Sequence, residues 1–133
     1  MTKNELIRLS YAITGCAIKV HKILGPGLLE SIYEKCLKYE LEKHGFHVDQ
    51  QLSISIIYDD LEFEAPLKVD LLVNKLVVLE LKTVEQILPI HEAQIITYMN
   101  LLQCPQALLI NFNTTNLTRA LKPYINKNYI FSE

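Results

Sequence analysis

The chain has 133 residues, half of them hydrophobic and 21% charged, with a net charge of −2. That length suits one folded domain with a real core, expected here over residues 1–133. The balance of charge, with Arg8 and Arg119 the only arginines, excludes a strongly basic surface that grips nucleic acid through its overall field.

No apolar run approaches the ~20 residues of a membrane span. The first ten residues, "MTKNELIRLS", lack the apolar core of a secretory signal, so the expectation is a cytoplasmic protein with no membrane contact. Cys16, Cys36 and Cys104 are scattered and odd in number, which argues against a disulfide framework or a zinc site.

Thr2 and Glu5 have capping-box spacing, and Leu6, Leu9, Ile13, Ala17, Val20 and Leu24 recur at helical intervals, predicting a helix over 3–24. Gly25-Pro26-Gly27 breaks it. A second helix is expected over 28–44, with Leu29, Ile32, Tyr33, Cys36, Leu37 and Leu41 inward, Glu34 and Lys38 as a favourable i,i+4 pair, and Gly45 as the C-terminal cap. The period then drops to two: Val48, Gln50, Leu52, Ile54 and Ile56 define one side of a strand ended by Asp59-Asp60. A second strand covers 61–73, with Pro66 marking an edge, bulge or bend. A third covers 76–82, after a tight turn at Asn74-Lys75. Pro89 opens a helix running to about Gln103. "ALLINF", 107–112, reads as a buried strand, and the remainder as one more strand and a loose tail. The expected architecture is mixed α/β: two N-terminal helices, a three-stranded antiparallel meander, a helix, and a further strand placed parallel to a neighbour by the crossover.

The third strand and its predecessor, "VDLLVNKLVVLELK", carry three charges in an apolar setting. Burying such groups is costly unless a partner or a metal compensates. Glu80 and Lys82 are two apart and leave one face of their strand; Asp70 lies on the strand before. Asp70, Glu80 and the main-chain carbonyl of Leu81 are hard oxygen donors of the kind Mg²⁺ takes. Lys82 beside them suits activation of a water or neutralisation of a phosphodiester transition state. The plainer alternative is a strand end emerging into solvent, with Asp70 paired to a lysine. Glu30 and Tyr33 share a face of the second helix, and Gln94 and Tyr98, with His91 one turn earlier, share a side of the third. Taken singly, each of these has an ordinary explanation as a half-buried or exposed helix position.

The geometry of the hairpin decides between these readings. A plain two-residue turn at Asn74-Lys75 pairs Asp70 with Leu79 and turns it away from Glu80. Convergence requires a one-residue offset. A three-residue turn centred on Asn74 pairs Leu72 with Leu76 and Asp70 with Val78; a bulge beside Asp70 has the same effect.

"GLLESIY", residues 27–33, resembles the motif of the GxxExxY protein family, and "DLLVNKLVVLELKTVE", "HEAQIITYMNLL" and "LLINF" resemble its later blocks. The likeness covers about residues 5–125. That family is similar to the PD-(D/E)XK nuclease-like superfamily, whose core order of helix, three strands, helix and strand matches the order above. The resemblance implies that Asp70, Glu80 and Lys82 form the catalytic motif and that Glu30, Asp70 and Glu80 hold Mg²⁺ or Mn²⁺. It implies phosphate or substrate contacts from Gln94 and Tyr98, and Tyr33 is placed with them. Val69 departs from the proline of the superfamily name, and Lys68 stands where relatives often carry arginine. The expected function is divalent-metal-dependent phosphodiester hydrolysis of DNA or RNA, with nucleic acid as partner and a homo-oligomer or partner protein to supply grip. The alternative is a non-catalytic nuclease-fold module acting through oligomerisation, a partner or nucleotide binding.

Overall fold

A computed structural model describes residues 1–132. Five strands form one sheet whose order follows the chain, β1-β2-β3-β4-β5. The elements are α1 (Lys3–Leu24), α2 (Glu30–Lys43), β1 (Val48–Tyr58), β2 (Leu61–Val73), β3 (Val77–Lys82), α3 (Pro89–Leu101), β4 (Gln106–Asn111), a 3-10 turn (Leu117–Ala120) and β5 (Leu121–Ile125). Only β3 and β4 are parallel, joined by the α3 crossover; the other neighbours are antiparallel. Among the described residues, no helix is long and apolar enough to cross a membrane.

Each face of the sheet has its own core. On one, α1 and α2 bring Ile13, Ala17, Tyr33 and Leu37 against Leu71, Leu79 and Leu81. On the other, α3 brings Ile95, Tyr98 and Met99 against Leu72, Val78 and Leu109. The alternating side chains of β3 and β4 therefore meet an apolar layer in both directions, which is why these two strands read as almost unbroken hydrophobic runs.

The capping box is present: the Thr2 N–H donates to Glu5 Oε1 at 2.8 Å and the Glu5 N–H to Thr2 Oγ1 at 3.1 Å. α2 begins two residues later than expected, because the Tyr33 hydroxyl ties the preceding loop. It donates to the Gly25 carbonyl at 2.5 Å and accepts from the Leu28 N–H at 3.2 Å. Gly25 and Gly27 have φ of 71° and 98°, values that glycine adopts without a steric penalty. Leu29 and Ile32 were expected inward but are 71% and 38% exposed. The face that packs is centred on Tyr33, Leu37 and Leu41, and it also buries Glu34 and Glu40.

Two other expectations are corrected, and the bulge or bend expected at Pro66 is present. Val48 lies in the core under α1 and α2, but Leu52, Ile54 and Ile56 pack with the α3 core, so they do not share one side of β1. Between them Gln51 has φ 50°, and one left-handed residue reverses the alternation. Pro66 falls in the register shift between Ser53↔Lys68 and Ser55↔Glu64, where β2 carries extra residues; proline suits such a bulge because it donates no ladder hydrogen bond. The C-terminal segment is not loose as far as it is described. The Ser132 N–H donates to the Met1 carbonyl at 2.9 Å, the Asn126 N–H to the Pro105 carbonyl at 2.9 Å, and Phe131 packs against the core. Glu133 lies outside the described residues.

Candidate active site

The β2–β3 turn is not a plain two-residue hairpin. Asn74 and Lys75 are both left-handed, φ 52° and 59°, and the Leu76 N–H donates to the Val73 carbonyl at 2.9 Å. The ladder, however, resumes at Val73↔Val77 and continues through Leu72↔Val78 to Leu71↔Leu79. Leu76 is the extra residue. The offset needed for convergence is present, but the pairing is two residues away from the expected Leu72–Leu76. Continued one step, this register sets Asp70 opposite Glu80.

At that step the two strands part. β3 stays paired with β4 along its whole length, to Lys82↔Asn111, while β2 follows β1. Two main-chain N–H groups would be left without partners in the fork, and the acidic side chains accept them. The Asp70 N–H donates to Glu80 Oε2 at 2.8 Å, and the Leu81 N–H donates to Asp70 Oδ2 at 2.9 Å. The carboxylates of Asp70 and Glu80 therefore converge in one gap of the sheet, each anchored by the other's strand.

The electrostatics of the gap are acidic. Glu80 is 5% exposed, and its carboxyl is pushed up to about 8 by burial first and the charge of Asp70 second, against the opposing pull of Lys82. Glu30 stands at the first turn of α2 on the rim. Its carboxyl is raised by partial loss of hydration, with Lys82 opposing and Asp70 adding to the shift. Tyr98, reaching in from α3, has its phenol raised by burial and then by Glu80 and Asp70, while a hydrogen bond with Gln94 opposes. One gap thus feels elements from both helical layers: Glu30 from α2, and Gln94 and Tyr98 from α3. Lys82 forms no ion pair among the described residues.

One expected contact, Tyr33, serves elsewhere, as does His91 on the side of α3 that carries Gln94 and Tyr98. Tyr33 is fully buried, its ring stacked on Phe112 at 4.4 Å and its hydroxyl spent on the Gly25–Leu28 loop. It supports the start of α2, and so the placement of Glu30. His91 caps α3: its Nδ1 accepts the Leu88 N–H at 3.0 Å.

Three residues that sequence reasoning missed adjoin the site. Glu34, expected as the i,i+4 partner of Lys38, is buried; its Oε2 accepts from Gln50 Nε2 at 2.6 Å and its Oε1 from Gln51 Nε2 at 2.8 Å. Lys38 instead donates to Gln50 Oε1 at 3.4 Å. Gln51 Nε2 also donates to Asp70 Oδ1 at 3.2 Å. The available signal was that Glu34 follows Glu30 by four positions and so shares its helix face.

A family model of the PD-(D/E)XK nuclease superfamily matches residues 7–123. The chain belongs to that superfamily. The match spans α1 through β5 and includes the whole acidic gap. No curated protein and no solved structure gives a significant match.

The donor set of the gap fits a hard divalent cation in kind. It offers carboxylate oxygens, crowded together and short of positive charge, and no soft ligand. Among the described residues no three His, Cys, Asp or Glu side chains form a ready-made ion-binding group, so the fit lies in donor chemistry and not in finished geometry.

Proposed function

We propose that this PD-(D/E)XK protein is a Mg²⁺- or Mn²⁺-dependent nuclease that hydrolyses phosphodiester bonds of DNA or RNA. The observation that carries this reading is the pair of carboxylates, Asp70 and Glu80, held together in the β2–β3 fork one residue from Lys82's neighbour Leu81. Nucleases of this superfamily generally use divalent metals. The "GLLESIY" motif is compatible with the GxxExxY branch.

In this reading Asp70 and Glu80 hold the ion, helped by Glu30 and the Leu81 carbonyl. An ion bound there would supply positive charge to stabilise the phosphodiester transition state. Glu80, whose carboxyl is raised in the free protein, would hold the ion as a carboxylate. Lys82 holds or takes a proton at the attacking water, or offsets charge on the phosphate. Gln94, exposed on α3, and the Tyr98 hydroxyl orient the phosphate. Tyr33 contributes by fixing the loop from which Glu30 projects. With net charge −2, additional grip on a nucleic acid comes from a second copy or a partner protein.

The test is cleavage of mixed single- and double-stranded DNA and RNA with Mg²⁺ or Mn²⁺, with Asp70→Ala as control. Cleavage by the native chain that Asp70→Ala abolishes is the expected result. Mn²⁺ should also raise the Tm of the native chain; an ion at 100 times its Kd adds about 2.7 kcal/mol, and Asp70→Ala should lose that increase. A Tm response without any cleavage would favour the non-catalytic module.

A further inference from the structure

We infer that Gln51 is a positioning residue for Asp70, locked in place by the buried carboxylate of Glu34. The inference rests on the metal-site reading above. Gln51 lies within β1, between the pairs Gln50↔Leu71 and Leu52↔Val69, yet has φ 50°. A non-glycine residue adopts that conformation at a cost, and inside a strand no turn requires it.

The conformation has a specific result. In a regular strand, Gln50 and Gln51 would point to opposite faces. Here both side-chain amides reach the same carboxylate, Gln50 at 2.6 Å from Glu34 Oε2 and Gln51 at 2.8 Å from Glu34 Oε1. Glu34 is only 7% exposed, so these amides stand in for the water its charge has lost. The same Gln51 Nε2 donates to Asp70 Oδ1 at 3.2 Å.

This arrangement also settles the sense of the amide. Gln51 faces two carboxylates, which accept and do not donate, so its NH₂ must point at both; the reverse orientation would set oxygen against oxygen. Asp70 is then gripped from two sides, through Oδ1 by Gln51 and through Oδ2 by the Leu81 N–H at 2.9 Å. Its rotation is restricted while each oxygen keeps accepting capacity for an ion. Partners of this kind orient a ligand carboxylate, and losing one typically weakens metal affinity about 10- to 100-fold.

Gln51→Gly tests this directly, because it removes the amide and also relieves the left-handed backbone. Isothermal titration with Mn²⁺ should show affinity about 10- to 100-fold weaker than the native chain, while the metal-free Tm reports only the balance between backbone relief and the amide that Glu34 loses. Glu34→Gln, which keeps shape but lets the Gln51 amide turn, should weaken Mn²⁺ binding in the same direction. A lowered Tm in Gln51→Gly with undiminished Mn²⁺ affinity would make Gln51 a structural residue and overturn the inference. If the native chain binds Mn²⁺ and both variants match it, this inference alone falls. If the native chain binds none, the metal site falls and this inference with it.

Discussion

Glu40 and Glu80 are the same residue at nearly the same exposure, 6% and 5%, and the fold treats them oppositely. Glu40, on α2, meets Lys19 Nζ at 2.9 Å and Lys43 Nζ at 3.6 Å. The hydrogen bond from Lys19 holds its carboxyl below the ordinary range. Glu80, in the β2–β3 fork, meets Asp70 and no lysine within ion-pair distance, and its carboxyl is pushed up to about 8. Burial of an acid is therefore not the informative feature. The informative feature is whether the surrounding elements bring a cation or further acids. The first arrangement already holds its cations on Oε1, although Glu40 Oε2 is buried without a hydrogen-bond partner. The second leaves a demand for positive charge, which perturbs ionisation in the way functional sites commonly do.

The largest effect that tests this contrast is on turnover. Lys82→Met keeps most of the stem and removes the charge, so nucleic-acid cleavage should fall by about 10²- to 10⁴-fold while Mn²⁺ titration still shows binding. Glu40→Gln, in the same cleavage assay, should leave the rate unchanged. A fully active Lys82→Met would remove the lysine from the mechanism.

Next in size is the pH dependence of stability without metal. Glu80 has a folded value of about 8 against 4.5 as the ordinary one, so the folded state binds the proton more tightly. Its contribution is complete below about 4.5 and is lost as pH rises toward 8, on the order of a few kcal/mol. Thermal melts in EDTA should therefore show Tm falling over that window in the native chain, and Glu80→Gln should flatten the fall. If Glu80→Gln melts with the native pH profile, the carboxyl is not perturbed as described.

The smallest effect belongs to Glu40, and its sign is reversed. A lowered carboxyl contributes stability above its ordinary value, and that stability is lost as pH falls through the folded value. Glu40→Gln should lower Tm modestly at neutral pH and remove part of the acid-side decline, because its lysine partners sit half exposed. Melts from pH 3 to 7 would check it.

Much of the architecture was legible from local signals. The Thr2–Glu5 box, the existence of a strand after Val48, the buried "ALLINF" strand and the parallel crossover all lie where pattern and proline placed them. The meeting of Asp70 with Glu80 followed from parity alone, since any odd insertion in the turn suffices. The register itself did not, because Lys75 at φ 59° has none of the residue chemistry that advertises a left-handed position. Gln51 hid for the same reason. Glu34 hid because a Glu–Lys pair four apart looks like a solvated helix surface, and only the approach of β1 buries it. The tie between Ser132 and Met1 joins the two ends of the chain, beyond the reach of any sequence window.

The sheet order repeats the chain order, and this bears on how the molecule assembles in time. Every strand pairs with its nearest neighbour in sequence, so the antiparallel pairings close short loops at low entropic cost, while β3 and β4 close across the α3 crossover. Asp70 and Glu80 come together across a single hairpin. Glu30 lies before β1 in the chain and reaches the gap only through the packing of α2 on the sheet. The acidic gap thus combines a central pair brought together by a local hairpin with an outer carboxylate that depends on a contact distant in sequence.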